Sequence, residues 1–265
     1  MPITDIIMPN ERTPPPLEIF PHLGRISDRF FTRGWRRYLR ALFPLHLLKP
    51  LKMEAQMAWL RLRTSKAERL FRNRNGMMVN LGCGDHGKPG WVNIDAYKAP
   101  GLTLTYDCRR KLPLPDESVR GIFTEHFFEH IDYTEEVPHF LSECLRVLAP
   151  RGVLRIVVPD ASMFLRAYLA DGWEEMARIR QLTPDRRDPF THSRLSTKME
   201  MVNLVFRQGH EHKFGYDYET LEFLLKRYGF AEVAQSEFGR SWLPGLALDQ
   251  ELRRSESLYV EAMKG

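Results

Sequence analysis

The sequence predicts an α/β protein with a mostly parallel sheet, preceded by a helical extension. Three observations support this prediction. Short apolar runs typical of buried strands recur over residues 77–263, helix-period segments separate the later runs, and a basic, proline-rich segment precedes the first. Strands that alternate with helices are typical of α/β folds with crossover connections. We therefore expect residues 1–75 to form an extension and residues 76–265 to form the main domain.

Length and composition limit the class of protein. The chain has 265 residues, of which 43% are hydrophobic and 28% are charged, which suits one domain with a substantial core plus an extension. No apolar run approaches the roughly 18 residues that a membrane-spanning helix needs, and the N-terminus does not have the pattern of a secretory signal. The chain has three cysteines and no CxxC pair, which disfavours a disulfide framework. We expect a reducing, cytoplasmic location.

The basic character of the chain belongs to its first 75 residues. They hold 15 Lys and Arg against 6 Asp and Glu, a net charge of +9, whereas the other 190 residues carry −4. Six prolines before residue 23 predict an extended arm. Residues 26–48 interleave aromatic side chains and arginines at helical spacing, and residues 53–71 predict a second helix. Pro44 and Pro50 predict breaks or kinks.

Three roles fit this extension. Its apolar side chains can pack on the main domain, it can lie in a membrane interface with its arginines toward anionic lipid, or it can bind single-stranded nucleic acid. We expect packing, keep peripheral membrane contact through residues 26–48 as the main alternative, and do not favour nucleic acid. Formation of a homo-oligomer stays open.

The main domain is predicted to alternate strands and helices. Helices are expected over residues 135–148, ended by the sequence Ala-Pro-Arg-Gly, and over residues 220–228. The predicted strands are residues 77–81, 91–96, 102–106, 119–124, 153–158, 231–234 and 257–263.

Glycines and an acid follow the first two strands, where ligands bind in parallel sheets. Gly82, Gly84 and Gly87 let the backbone turn tightly and approach a ligand. Asp95 ends the second strand and can accept hydrogen bonds from both ribose hydroxyls of a nucleoside. The connection between them is too short for the helix that holds a pyrophosphate in dinucleotide-binding folds. A nucleoside without phosphates is therefore a better ligand for this loop than a dinucleotide.

A second acid follows the third strand. Asp107 can accept a hydrogen bond from an adenine amino group, and the N–H of Cys108 can meet a ring nitrogen. A glycine loop, a ribose acid and an adenine acid, in this order, predict a pocket for S-adenosylmethionine.

These motifs resemble those of class I S-adenosylmethionine-dependent methyltransferases, most closely a small bacterial group with GW-xNID and EHxxEH segments. The resemblance covers about residues 77–263 and implies a Rossmann-like, seven-stranded, mostly parallel sheet with helices on both faces. It also implies that the insertion at residues 172–215 serves as a lid or acceptor site, with a helical dimer surface as the alternative. The motifs are VNLGCG, WVNIDAY, YDCRRKLPLPDESVRGIFTEHFFEHI, FLSECLRVLAPRGVLRIVVPD and GHEHKFGYDYETLEFLLKRYGF.

The resemblance also implies roles for single residues. Gly82 and Gly84 would line the methionine part of the cofactor, and Glu125 with His126 would close the pocket. The family often has an acid where this chain has Asn80, which carries no charge for the cofactor's ammonium group. The predicted cofactor-binding residues are Asn80, Gly82, Cys83, Gly84, Asp95, Ala96, Asp107, Cys108, Glu125 and His126.

Histidines are the candidate bases, because their ordinary pKa suits proton transfer near neutral pH. We predict catalytic roles for His126, His130 and His210, with His212 from the same later loop and Asp160 as further candidates. For the loop histidines, a solvated loop or a helix cap is the alternative. Residues 126–130 also have the HxxEH spacing of an inverted zinc-protease motif. Because they lie inside the methyltransferase pattern, we expect cofactor or substrate contact and assign no metal ligands.

The expected function is methyl transfer from S-adenosylmethionine to a hydroxyl or amine of a small-molecule, glycan or lipid-linked acceptor. The alternative is a non-catalytic partner protein that keeps the methyltransferase fold and binds through its basic N-terminal arm. Asn80 favours that alternative slightly.

Overall fold

The computed structural model describes residues 45–62 and 64–265. Short 3-10 helices cover Phe128–His130, Gln208–His210, Pro244–Leu246 and Glu251–Arg253. The longer elements, in chain order, are α1 (Leu45–Arg61), α2 (Thr64–Phe71), β1 (Met77–Leu81), β2 (Val92–Asp95), β3 (Leu104–Thr105), β4 (Val119–Glu125), α3 (Glu136–Val147), β5 (Leu148–Pro159), α4 (Ala161–Leu169), α5 (Glu174–Arg180), α6 (Lys198–Arg207), α7 (Tyr218–Arg227), β6 (Phe230–Ser236) and β7 (Ser257–Lys264).

A seven-stranded sheet lies at the centre, with strand order β3-β2-β1-β4-β5-β7-β6. Strand β7 is antiparallel to β5 and β6, and the other neighbouring pairs are parallel. This arrangement confirms the predicted Rossmann-like α/β fold. The connection from β1 to β2 contains no helix, as its length predicted, so the loop after β1 passes directly to the end of β2.

The two faces of the sheet pack against different layers, because successive strand residues point to opposite sides. On β5, Leu154, Ile156 and Val158 belong to the main core with α2, α3 and α7. Val157 of the same strand packs with Leu246 on the other face. Leu246 lies in the segment 238–246, which ends in a short 3-10 helix.

The described part of the N-terminal extension packs on the main domain. Met57 and Leu60 of α1 and Phe71 of α2 are buried, which agrees with the packing role. Helix α1 continues through Pro50, so the helix does not break there. No described helix has the length and apolar character needed to cross a bilayer. The predictions for the proline-rich arm, for Pro44 and for most of residues 26–48 lie outside the described residues.

The insertion at residues 172–215 forms helices with a small core of their own. Phe164 of α4 packs there with Met176 of α5 and Met201 of α6. The Asp160 side chain accepts a hydrogen bond from the N–H of Met163 at the start of α4, so this sequence candidate serves as a helix cap. The helical unit therefore follows directly from the carboxyl end of β5, the edge of the sheet where ligands bind.

Candidate active site

Three strand ends meet at the carboxyl edge of the sheet. The N–H of Gly82 donates to the carbonyl of Ile94 at 2.9 Å, and the N–H of Gly84 donates to Oδ2 of Asp95 at 2.9 Å. The N–H of Tyr106 donates to the carbonyl of Asp95 at 2.8 Å. The loop after β1, the end of β2 and the segment after β3 are thus in direct contact. We call residues 82–84, 95–97 and 106–108 the strand-end site.

Asp95 keeps acceptor positions open within the strand-end site. Within the described residues its two oxygens accept one hydrogen bond each, from the N–H groups of Gly84 and Tyr97. Each carboxylate oxygen can accept about two hydrogen bonds, so one position on each remains for a pair of hydroxyl donors. At Gly84 an added Cβ would meet no atom of the described residues within 4 Å, so the backbone there borders open space in the part of the chain that the structure describes. These features fit the ribose of an adenosyl group.

Gly82 brings the segment after β4 against the loop after β1. Its φ is +68°, and an added Cβ would lie 2.1 Å from Cγ of Phe127. A side chain at residue 82 would therefore separate the two segments. The glycine lets Phe127, which directly follows His126 in the chain, lie beside the strand-end site.

Three further predicted residues, Asn80, Cys83 and Cys108, are buried beside the strand-end site. Asn80 is buried and its Nδ2 donates to the carbonyl of His86 at 3.2 Å, which supports the loop. Cys83 and Cys108 are buried. Burial raises the pKa of the Cys83 thiol to about 11 and the pKa of the Cys108 thiol well above its ordinary value. Both side chains are therefore neutral thiols at physiological pH, small enough to line a pocket.

The Asp107 carboxylate is saturated by two arginines. Oδ1 accepts from the backbone N–H and Nε of Arg109, and Oδ2 accepts from Nε of Arg61 at 2.8 Å and Nη2 of Arg109 at 3.2 Å. Burial alone would raise the pKa of Asp107, but hydrogen bonds and charge from Arg109, with a further bond from Arg61, bring it below the ordinary value. Glu54 and Glu136 pair with the same Arg109 at 2.7 and 2.8 Å. We call these five residues the α1 clamp.

The α1 clamp changes the expectation for Asp107. A carboxylate has four good acceptor positions, and here all four are used. Contact between Asp107 and an adenine amino group stays a prediction, and it requires an arginine to release one bond. Helix α1 also reaches Ala96, whose carbonyl accepts from Nε2 of Gln56 at 3.0 Å. The extension thus forms one wall of the strand-end site, which the sequence did not indicate because the resemblance begins only at about residue 77.

Glu125 is the last residue of β4 and His126 follows it. The C-terminal part of the chain holds both side chains in place. The Glu125 carboxylate accepts from the backbone N–H and Nε2 of Gln250 at 2.8 and 2.9 Å. The Ser257 hydroxyl donates to the carbonyl of Arg253, so Nε2 of His126 donates to that hydroxyl oxygen at 2.9 Å. Nδ1 of His126 then lies 3.4 Å from Oε1 of Glu129. The base role of His126 stays a prediction.

Glu129, His130 and His212 come together beyond β4. One ligand atom from each lies within 4.8 Å of the others, and we call this group the His–Glu cluster. It joins two of the predicted histidine regions, but through His212 rather than His210. His210 is exposed and its Nδ1 lies 3.5 Å from Arg207. The HxxEH spacing was the available signal for Glu129, whereas nothing in the sequence selects His212 over His210.

The protonation states of the cluster follow from its surroundings. Burial alone would raise the pKa of Glu129, but His126, His130 and His212 lower it to about 2. Burial lowers the pKa of His212 to about 4, although the charge of Glu129 acts in the opposite direction. The cluster therefore presents a carboxylate and a neutral imidazole at physiological pH.

Comparison with known proteins identifies a family match in the segment that contains most of the strand-end site and part of the His–Glu cluster. Residues 94–156, which run from β2 to β5, match a family described as a methyltransferase domain. No curated protein matches the chain. The family match supports a class I S-adenosylmethionine-dependent methyltransferase domain, and it indicates S-adenosylmethionine as the cofactor.

Solved structures of low identity are also similar. An S-adenosylmethionine-dependent methyltransferase from Archaeoglobus fulgidus is 18% identical with a TM-score of 0.43, over 83% of this chain and 100% of that one. One from Aquifex aeolicus is 17% identical with a TM-score of 0.40, over 82% and 98%. One from Mesorhizobium loti is 20% identical with a TM-score of 0.39, over 76% and 97%. At these values the similarities define neither an acceptor nor a site residue.

Proposed function

We propose that this protein transfers a methyl group from S-adenosylmethionine to a hydroxyl or amine of a small-molecule, glycan or lipid-linked acceptor. The observation that carries the proposal is the contact between Gly84, Asp95 and the segment after β3, in a chain whose residues 94–156 match a methyltransferase domain. The cofactor supplies the electrophilic methyl group. The protein's task is to align it with the acceptor, which can lower the barrier by up to about 7–11 kcal/mol.

The residues of the strand-end site have distinct tasks in this proposal. The open positions on the Asp95 carboxylate bind the two ribose hydroxyls, and the backbone at Gly82 and Gly84 lines the methionine part. Ala96, Cys83 and Cys108 border the adenosyl group.

The residues proposed to contact the methyl acceptor lie just after the end of β4 and in the helical insertion. His126 and His130 are the candidates for accepting the acceptor's proton, because they lie beside the loop at Gly82 through Phe127. The helical insertion of residues 172–215 is the candidate lid. His192, Arg194 and Arg207 are exposed there and suit an anionic acceptor.

Calorimetric titration with S-adenosylmethionine tests the cofactor assignment. Asp95→Ala should weaken binding by about 1.5–3 kcal/mol, because it removes charge-assisted hydrogen bonds. Asp85→Ala is the matched control, since Asp85 lies in the same loop with a side chain 77% exposed. Binding by the control should equal that of the wild type. Unchanged affinity in Asp95→Ala would contradict the assigned site.

A second candidate is a partner protein without catalysis that binds through the basic N-terminal arm. It is favoured by Asn80, which bonds to the loop carbonyl of His86 and brings no charge for the cofactor's ammonium group. The two candidates differ in one measurement. A partner protein of this kind shows no heat of binding at millimolar S-adenosylmethionine, whereas the proposed enzyme is saturated there.

A further inference from the structure

Glu129 is a buried carboxylate to which no described residue donates a hydrogen bond. Its side chain is 2% exposed, and neither oxygen has a hydrogen-bond partner within residues 45–62 and 64–265. Nδ1 of His126 lies 3.4 Å and Nε2 of His212 lies 4.0 Å from Oε1, both beyond the range of good hydrogen bonds. A buried carboxylate left this way costs free energy. The surroundings of Glu129 therefore suit a positively charged ligand.

The orientation of His212 supports the same conclusion. Its Nδ1 lies 2.5 Å from the carbonyl oxygen of Val205. Because a carbonyl only accepts, Nδ1 carries a ring proton, which leaves Nε2 as the nitrogen that can coordinate a ligand. Two acceptors, Nε2 of His212 and Oε1 of Glu129, thus face each other. A metal ion satisfies both, and a ring N–H donating to a backbone carbonyl is the usual support of a metal-binding histidine.

His130 supplies a third metal-ligand atom, a ring nitrogen, at the partly exposed side of the cluster. Its ring meets the ring of His212 edge to face, with centroids 4.6 Å apart. The three ligand atoms lie within 4.8 Å of one another. Zinc bonds of about 2.0–2.1 Å place tetrahedral ligands about 3.4 Å apart. Because Nε2 of His212 and Oε1 of Glu129 are 4.0 Å apart, closing the set requires small rotations of the His212 and His130 side chains toward Glu129.

We propose that Glu129, His130 and His212 bind a divalent transition-metal ion, with Zn²⁺ as the best match. Two imidazoles and one carboxylate form a ligand set of zinc sites that keep an open coordination position. HxxEH supplies Glu129 and His130 from one turn, and the loop before α7 supplies His212. Two backbone N–H groups, of Lys213 and Phe214, donate to the carbonyl of Glu129 at 2.7 and 3.4 Å and hold the two segments together.

The proposed metal site lies next to the strand-end site. Phe127, two residues before Glu129, packs on Gly82. Val205 of α6, whose carbonyl contacts Nδ1 of His212, connects the cluster to the helical insertion. A metal ion there can bind an oxygen or nitrogen of the acceptor through its open position. This acceptor role rests on the proposed methyl transfer, whereas metal binding itself does not. With His130 bound to the metal, the base role falls to His126.

Titration of the untagged full-length protein with Co²⁺ and Zn²⁺ tests the site. We expect one equivalent of Co²⁺ with a visible absorption spectrum, displaced by one equivalent of Zn²⁺. His212→Gln and His130→Gln should each weaken binding at least about 100-fold, since even loss of a supporting residue costs 10–100-fold. His139→Gln, on the exposed side of α3, should bind like the wild type. The proposal would be overturned if the wild type did not bind stoichiometric metal, or if all variants bound metal equally well.

Two further measurements keep the outcome clear. His130 is partly exposed, so its variant should keep the wild-type circular dichroism spectrum even if His212→Gln does not fold, and it then carries the test. Binding of S-adenosylmethionine is measured separately, without metal. Metal binding without cofactor binding would overturn the methyltransferase proposal alone, and cofactor binding without metal binding would overturn the metal site alone.

Discussion

Gly82 shows how one residue positions two segments of the site. It has a positive φ and leaves no room for a Cβ beside Phe127. Gly84 also has a positive φ of 52° but borders open space. The two glycines look alike in the sequence, and only their neighbours distinguish them.

Alanine substitutions separate the two roles. Both variants lose stability from the positive φ, by about 1–3 kcal/mol. Gly82→Ala should lose about a further 1–3 kcal/mol, because its Cβ overlaps Phe127. Urea denaturation measures both losses, with Gly84→Ala as the control for backbone strain. Equal destabilisation of the two variants would mean that the contact with Phe127 adjusts at no cost.

The acids show where residue-level prediction stops. Asp95 was predicted from its place after a strand, and the structure leaves acceptor positions on it. Asp107 was predicted by the same reasoning, yet arginines fill all its positions. One of them, Arg61, lies on α1, outside the segment that carried the resemblance. Chain order places an acid at a strand end, but it does not show which distant cation has already reached it.

Among the elements, helix α1 is joined to the sheet edge by the α1 clamp rather than by apolar contact alone. The pKa of Asp107 is lowered in the folded state, so the folded protein releases this proton more readily than the unfolded chain. Its contribution is therefore complete above the ordinary pKa of 3.8 and is lost as the pH falls through the lower folded value.

Asp107→Asn tests the clamp through its pH dependence. At pH 7 the variant should lose about 1.5–3 kcal/mol of unfolding free energy, the worth of charged hydrogen bonds. The difference from the wild type should shrink as the pH falls below 3.8. Asp116→Asn is the control, because Asp116 pairs with Arg146 at 2.5 Å but is 75% exposed. That pair should contribute less than about 1 kcal/mol. A pH-independent difference for Asp107→Asn would contradict the ionic origin.

Strands were more predictable than the elements around them. The predicted strand at residues 77–81 matches β1 to the residue, because a buried parallel strand is a continuous apolar run with glycine at its end. The helix before Pro150 ends at Val147, one residue from its predicted end. Strand β5 already begins at Leu148, which pairs with Val119, and the pairing resumes at Val153 after a shift in register. Helix α1 contains Pro50, and its buried residues Met57 and Leu60 lie in the part of the helix after the proline.

For the whole molecule, the separation of charge is the feature with the widest consequence. The net +9 of the first 75 residues contrasts with −4 in the rest. A basic, aromatic segment can hold a protein at an anionic surface, with about 1 kcal/mol from each basic residue near the lipid. Membrane contact through residues 26–48 remains a proposal.

Sedimentation with anionic phospholipid vesicles tests that contact. Replacing Arg29, Arg33, Arg36, Arg37 and Arg40 by glutamine in the full-length protein should abolish binding at 0.15 M salt. The control replaces five exposed arginines of the main domain: Arg120, Arg151, Arg166, Arg227 and Arg240. If both sets weaken binding equally, the arm has no special role. If neither the wild type nor the control binds, membrane contact is excluded under these conditions.

The central claim is that the ends of β1, β2 and β3 surround one adenosyl group. A crystal structure of the full-length protein with S-adenosylhomocysteine tests it most directly. We predict the ribose hydroxyls within hydrogen-bond distance of both Asp95 oxygens, and the adenine beside Cys108. An adenosyl group bound away from Asp95, or on the far edge of the sheet, would contradict the claim.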